Sequence, residues 1–337
     1  ETAVDILLQI GILGDYIEGK VVDGNELQGL SSKELAKLID EVVLFARTSP
    51  EQKLKIVEAL KEKDHVVAMT GDGVNDAPAL KRADIGIVVS SASDVSQETA
   101  DMVLLDNNFK TIVAAIKEGR GIYDNLKRII VYLLSDAFAE ILVVIASLIF
   151  GWPLPILAVQ ILWINLISDG FPGLALTVEP SERDVLADAP RKKSEHIIDG
   201  EVLTLIILIS IVASVTTLGA FFYFWHGLDS EVVHARTVAF AMLGVNSLFY
   251  VFSSRSLSVP VWRVRIGRNK WLLWGVLLGM ILQVSVIYVP VLQHVFETVA
   301  LGWLEWGVIA GGSLLLMAVV EGVKFAYEGD KWLNKKQ

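Results

Sequence analysis

Between an apolar segment at 65–69 and a helix that Pro78 is placed to open runs Thr70-Gly-Asp-Gly-Val-Asn-Asp-Ala-Pro-Ala-Leu-Lys81. Asp72 and Asp76 flank Asn75 on this glycine-rich turn. Two close carboxylates suit a hard cation such as Mg²⁺, which takes oxygen ligands and commonly bridges to substrate phosphates. Asn75 and the backbone N–H groups of the turn, including that of Gly73, are suited to meeting phosphate oxygens. Lys53, one turn into a helix that begins at Pro50, can hold a phosphate as a point charge. The bland meanings stand beside these: Asp, Gly and Asn in isolation more often make a surface turn, and a lysine near a helix start is usually solvated.

A second set lies in apolar surroundings. Tyr132, Asp136 and Glu140 recur every four residues and share one helical face. Asn165 and Asp169 are likewise four apart, with Ser168 beside them, and Gly170, Pro172 and Gly173 follow as expected helix breakers. Ionisable groups inside a membrane span are costly and by default mark a transport path or a partner. A broken helix there frees carbonyls to face an ion. Glu140, Asn165, Ser168 and Asp169, with Asp136 as an additional candidate, therefore offer oxygen ligands suited to Ca²⁺ or another small cation. The alternative is two spans hydrogen-bonded to each other for packing.

The elements that must position these groups fall into two regions. The chain has 337 residues, 53% of them hydrophobic, and the apolar residues concentrate after about residue 127, where several runs reach the roughly 18 residues needed to span a bilayer. The composition changes near Gly119. A complete lack of cysteine excludes disulfides, zinc thiolate sites and cysteine nucleophiles. A net charge of −10 argues against nucleic acid as a partner. With no initial Met and no leader pattern, the chain is expected to be a fragment.

In order, a helix is expected near the start, from Glu1 to Gly14, then a loop over 19–32 and a short helix from Ser32 to about Ile39. Strand 42–45 precedes the Pro50 helix, for which Ser49 is the cap. Strand 65–69, expected to be buried, leads into the Gly-Asp turn. A short helix to about Arg82, strand 85–89, a polar loop over 90–98, strand 100–105 and a helix over 108–118 follow. Alternating strands and helices indicate βαβ units and a mainly parallel sheet, with the Gly-Asp turn at its carboxyl edge. Six spans are expected, over about 128–150, 155–178, 202–225, 235–253, 271–290 and 304–327. Gly151 to Pro155 make a tight turn between the first two. Loops 179–201 and 254–270 carry Arg183, Arg191, Lys192, Lys193, Arg255, Arg263, Arg265, Arg268 and Lys270, whereas 151–154, 226–234 and 291–303 carry no Lys or Arg. The basic loops, the first region and the C-terminus are thus expected on the cytoplasmic side. Asn246 is expected to bond between helices and Glu321 to face the bundle interior or pair with Lys324. The five histidines make no metal-ligand spacing.

The Thr70–Lys81 run resembles the hinge motif of P-type ATPases. Ala46-Arg-Thr-Ser-Pro-Glu-Gln-Lys53 resembles the lysine-bearing segment of that family. Asp106-Asn-Asn-Phe109 and Ile112-Val-Ala-Ala-Ile-Lys-Glu-Gly-Arg120 resemble its run into the fifth membrane helix, and Leu162-Trp-Ile-Asn-Leu-Ile-Ser-Asp-Gly170 is similar to its sixth, in the type II calcium branch. The resemblance implies an α/β haloacid-dehalogenase-like (Rossmann-type) partial domain, residues 1–118, the end of a phosphorylation domain. It further implies a stalk and a bundle of six transmembrane helices, residues 119–337, corresponding to the family's fifth to tenth.

By the same resemblance Asp72 ligates Mg²⁺, Asn75 and Asp76 organise the Mg²⁺–phosphate site, and Lys53 contacts an aspartyl phosphate. No Asp-Lys-Thr-Gly-Thr occurs in the chain. The phosphorylated Asp, the nucleotide domain that binds most of the ATP, the actuator domain and four membrane helices are therefore expected elsewhere, and this chain alone cannot pump. The Asn of two-site calcium pumps corresponds to Ala137, and an acid of their eighth helix falls near Leu243. Both losses point to one ion site of Glu140, Asn165 and Asp169, completed from outside this chain. Ca²⁺ is the expected cargo, with H⁺, Na⁺ or Mn²⁺ as the alternative. A phosphatase-like or regulatory module tethered to the membrane is the reading of another class. Against it stands the apparently unbroken helix through Gly119 to Tyr132. The setting is a multi-pass protein in membrane lipid, the plasma membrane if prokaryotic.

Overall fold

A computed structural model describes residues 20–106, 108–180, 185–187, 191 and 195–334. The expected helix over 1–14 and the side chains of Arg183, Lys192 and Lys193 lie outside the described residues. Two compact units emerge, one reaching Ile116 and including 189–195, the other built from 117–188 and 196–337.

In the first unit the described elements are β1 (Lys20–Asp23), α1 (Gly24–Leu27), α2 (Ser32–Leu38), β2 (Val42–Ala46), α3 (Pro50–Glu62), β3 (Ala68–Gly71), α4 (Ala77–Arg82), β4 (Ile85–Val89), α5 (Asp94–Thr99) and β5 (Met102–Leu104). All strand pairings are parallel, in two small sheets, β1–β2 and β3–β4–β5. Three expectations change. The stretch over 19–32 holds β1 and α1 instead of a loop, because Val22 and Leu27 enter a core with Leu35, Ile39 and Ala59. The polar stretch over 90–98 contains α5, whose Ser93 accepts the N–H of Ser96 as a cap. The third strand lies at 68–71 and not at 65–69, and it sits at a sheet edge with Ala68 and Val66 exposed, so it is not a buried strand.

The second unit is helical: α6 (Phe109–Phe150), which begins in the first unit, then α7 (Ala158–Trp163), α8 (Gly170–Leu176), α9 (Gly200–Phe222), α10 (Val232–Ser254), α11 (Lys270–Tyr288), α12 (Pro290–Phe296) and α13 (Trp303–Asn334). Among the described residues six helical stretches are long and apolar enough to cross a membrane, at 110–150, 158–176, 200–227, 232–254, 270–288 and 303–326. Gly119 does not end a helix, since α6 is continuous across it. Gly151 does end one: its φ of +67° lies in the left-handed region that glycine enters freely, and the Trp152 N–H closes back on the Ser147 carbonyl.

Of the spans, α10 is the most enclosed, with 89% of its most apolar window buried. Its polar groups must therefore find partners inside protein. Asn246 does so in part, its Oδ1 accepting between helices from the Ser313 hydroxyl at 2.7 Å, while its Nδ2 and the Ser253 hydroxyl are buried without a partner. Glu321 does both things expected of it: it is buried, pairs with Lys324 at 2.9 Å and also accepts the Val261 N–H.

Arg255 departs from its expected place as a loop charge. It is 1% exposed and donates through Nε and Nη2 to Glu179 Oε1 at 2.9 and 2.7 Å. Asn269 donates to the other Glu179 oxygen at 2.7 Å, and Asn125 on α6 donates to the Glu179 carbonyl. The residue types give one clue: an acid and a base stand just past two spans that end on the same side. Removing one partner of such a pair leaves a buried charge and costs about 3–5 kcal/mol. Arg255→Met should therefore lower the thermal midpoint of the detergent-solubilised protein strongly, while Glu179→Leu with Arg255→Met recovers most of the loss. Equal damage by the single and double variants would contradict this balance.

Candidate functional site

In the first unit the cluster is assembled by the start of α3 and the end of β3. Ser49 caps α3 by accepting the Gln52 N–H, and the Gln52 side chain accepts the Ser49 N–H in return, a box of the type usually worth about 1 kcal/mol. That anchored first turn fixes Lys53. Its Nζ sits 2.9 Å from Asp76 Oδ1 and 3.1 Å from Oδ2, with Asp76 buried. Asp76 is held close to β3 because residue 71 is glycine; a Cβ there would stand 2.7 Å from the Asp76 Cβ. Lys53, Thr70, Gly71, Asp72, Asp76 and Asn108 line a cavity of about 300 Å³.

The cavity thus joins Lys53, Asp72 and Asp76 from the expected set and adds Thr70, Gly71 and Asn108. Gly73 and Asn75 are not among the lining residues, and Asn75 is exposed on the 3-10 turn Val74–Asp76. The donor set is two carboxylates with one ammonium, which fits a hard cation together with a phosphate oxygen.

Asn108 reaches the cavity through a local turn that the sequence offers as Asp-x-Asn. Asp106 accepts the Thr111 hydroxyl at 2.6 Å and the Asn108 N–H at 3.3 Å. The Thr111 bond holds the Asp106 carboxyl below its ordinary value. A depressed carboxyl contributes stability that is present above its unfolded pKa, about 3.9, and lost as pH falls through the lower folded value. Thr111→Val should move the Asp106 midpoint upward in a carboxyl NMR titration; an unmoved midpoint would contradict the assigned cause.

In the second unit, Tyr132, Asp136 and Glu140 are all buried along one face of α6. Glu140 accepts from Asn165 Nδ2 at 3.3 and 3.1 Å. Asp136 lies close enough to Asp169 and Glu140 to interact with both carboxylates. The helix defect between α7 and α8 is a π-helical turn over Ile164–Ser168, closed by the Asp169 N–H to the Ile164 carbonyl at 3.0 Å. The expected break at Gly170, Pro172 and Gly173 is therefore misplaced. Those residues lie within α8, near its start, where Pro172 needs no intrahelical N–H partner, and the distortion sits one turn earlier.

Ser168 turns its carbonyl to the Tyr132 hydroxyl at 2.9 Å, while its own Oγ is buried without a partner, as is Asp136 Oδ2. Among the described residues no three His, Cys, Asp or Glu side chains gather closely enough to hold a metal by themselves. Ser247 of α10, not singled out by the sequence, donates to Asp169 Oδ1 at 2.5 Å. His234 and His65 have structural partners, Glu305 and Asp40, each at 3.2 Å.

Residues 153–326, more than half the chain, match the family described as "Cation transporting ATPase, C-terminus". The chain belongs to the cation-transporting P-type ATPases. Residues 3–84 match the haloacid dehalogenase-like hydrolases, in keeping with the parallel strands of the first unit. It is similar to "Calcium-transporting ATPase 1" of Bacillus cereus, 39% identical over 97% of this chain and 38% of the relative. It is also 40% identical to "Calcium-transporting ATPase" of Bacillus subtilis, over 96% of this chain and 36% of that one. "Calcium-transporting ATPase type 2C member 1" of Bos taurus is 37% identical over 96% of this chain and 34% of its own length. The chain thus spans little more than a third of these relatives and corresponds to the type II calcium and cation branch. With its six spans it is a multi-pass membrane protein.

Proposed function

We propose that this chain forms the ion-carrying and phosphate-adjacent part of an ATP-driven pump, with Ca²⁺ as cargo. Glu140, Asn165 and Asp169 form a single cargo site, to which Ser168 and Asp136 add oxygens. The observation that carries this reading is the pair of buried oxygens without partners, Asp136 Oδ2 and Ser168 Oγ, beside a Glu140–Asn165 contact. Hydroxyls elsewhere in the bundle, those of Thr217 and Ser253 among them, are also unpaired, but a carboxylate oxygen is far costlier to leave so and by default marks an ion path. Asn165 keeps exposed surface next to Glu140, room for a ligand from elsewhere in the pump.

In the first unit Asp72 and Asp76 would hold Mg²⁺, which supplies charge neutralisation to a phosphoryl group. Lys53 orients Asp76 and offers its ammonium to a phosphate oxygen. Gly71 keeps Asp76 against β3, and Asn108 adds a polar wall. Asn75 and Gly73 would serve as phosphate contacts through the exposed turn. The actuator and nucleotide domains, the first four helices and most of the ATP contacts belong to the remainder of the pump. The soluble unit and the C-terminus lie on the cytoplasmic side.

The test is phosphorylation of the full-length pump by ATP with Ca²⁺, Mn²⁺, Na⁺ or no added cation. Phosphoenzyme that requires Ca²⁺ supports the reading. Phosphoenzyme driven by Na⁺, by Mn²⁺ alone or by acid pH reassigns the cargo, and none under any condition returns the chain to a tethered regulatory module.

A further inference from the structure

We propose that Ser247 is a positioning residue that limits how many oxygens Asp169 presents to the transported cation, and so biases the site between cations of different coordination number. The inference rests on the cargo-site reading above and names a residue from a third element, α10, which contributes no carboxylate to the site.

Ser247 is fully buried. Its Oγ lies 2.5 Å from Asp169 Oδ1 and 2.7 Å from the Tyr132 hydroxyl. An ionised carboxylate can only accept, so the single Ser247 proton belongs to Asp169, and the separation fits an O–H···O⁻ bond. Only lone pairs of Ser247 then face Tyr132. The phenol must donate in that contact, its proton shared with the Ser168 carbonyl at 2.9 Å. Tyr132 to Ser247 to Asp169 is a directed chain whose end engages one of the two Asp169 oxygens.

With one lone pair of Oδ1 taken by this short bond, Oδ1 keeps only a second, weakened lone pair for an ion, and the ion is drawn first to Oδ2. Ca²⁺ takes six to eight oxygens and readily uses both oxygens of a carboxylate, whereas smaller divalent ions hold to about six at shorter distance. Tying Oδ1 therefore costs Ca²⁺ more than it costs a smaller divalent such as Mn²⁺. Removing the Ser247 hydroxyl should release Asp169 for two-oxygen binding, while Tyr132 keeps its Ser168 acceptor and its place.

The experiment measures, in the full-length pump, the Ca²⁺ and the Mn²⁺ concentration giving half-maximal phosphorylation by ATP, for the wild type, Ser247→Ala and Ser247→Thr. The ratio of the Mn²⁺ to the Ca²⁺ value should rise about fivefold in Ser247→Ala, the factor of one ordinary hydrogen bond. Ser247→Thr, which retains the hydroxyl, should restore the wild-type ratio. If Ser247→Ala does not accumulate, Ser247→Gly serves the same comparison. Equal weakening of both ions, or the same shift in Thr as in Ala, overturns the inference and leaves the cargo site standing. A wild-type pump that responds to neither ion overturns the cargo-site reading and this inference with it.

Discussion

Asp76→Asn in the full-length pump should reduce ATP turnover by about 100-fold or more, the scale on which displaced metal-site and charge-positioning groups act. The protein should still fold. The amide has the shape of the carboxylate and keeps an oxygen for Lys53 Nζ, now at 2.9 and 3.1 Å from the two Asp76 oxygens. With Lys53 partly exposed, the pair contributes modestly to stability, within about 1 kcal/mol. What disappears is the negative charge at the wall of the cavity and, with it, the match to Mg²⁺. Turnover assays beside a thermal melt separate the two effects. Normal turnover would refute the role given to Asp76, and a collapsed melt would show it to be structural.

Asp169→Asn should act at the other end. Its carboxyl is 1% exposed, at the end of the π turn, bonded to Ser247 and beside Asp136. The substitution keeps the Ser247 bond through the amide oxygen and removes a charge that a divalent ion needs. Phosphorylation by inorganic phosphate, which does not require the cargo, should persist, while activation by the cation falls by about two orders of magnitude or more. Unchanged ion dependence would place the cargo site elsewhere in the bundle.

The sequence carried much of this because its strongest patterns are long ones. Runs near 20 apolar residues mark a bilayer crossing whatever surrounds them, and the structure has helices at each expected span. Strand 85–89 was legible because Ile85-Gly-Ile-Val-Val89 is an apolar run bounded by polar residues. The Pro50 helix was legible through its cap, and Lys53 with it.

What escaped were features set by partners far along the chain. β1 is four residues long and gains its stability from pairing with β2, so nothing local distinguishes it from loop. α5 is almost wholly polar and declares itself only through the Ser93 cap. Arg255 read as an orientation charge because its acid lies 76 residues earlier. Ser247 is one small hydroxyl on an apolar helix, and its meaning appears only when Asp169 and Tyr132 are beside it. The π turn has no composition of its own. Gly170 and Pro172 drew attention to the right neighbourhood and the wrong turn.

The most direct test of the account is equilibrium binding of radioactive Ca²⁺ to the purified full-length pump, counted against its phosphorylation sites. One ion per site, lost in Asp169→Asn and kept in Asp76→Asn, is the expected result. Two ions per site, or one that persists without the Asp169 carboxylate, would contradict it.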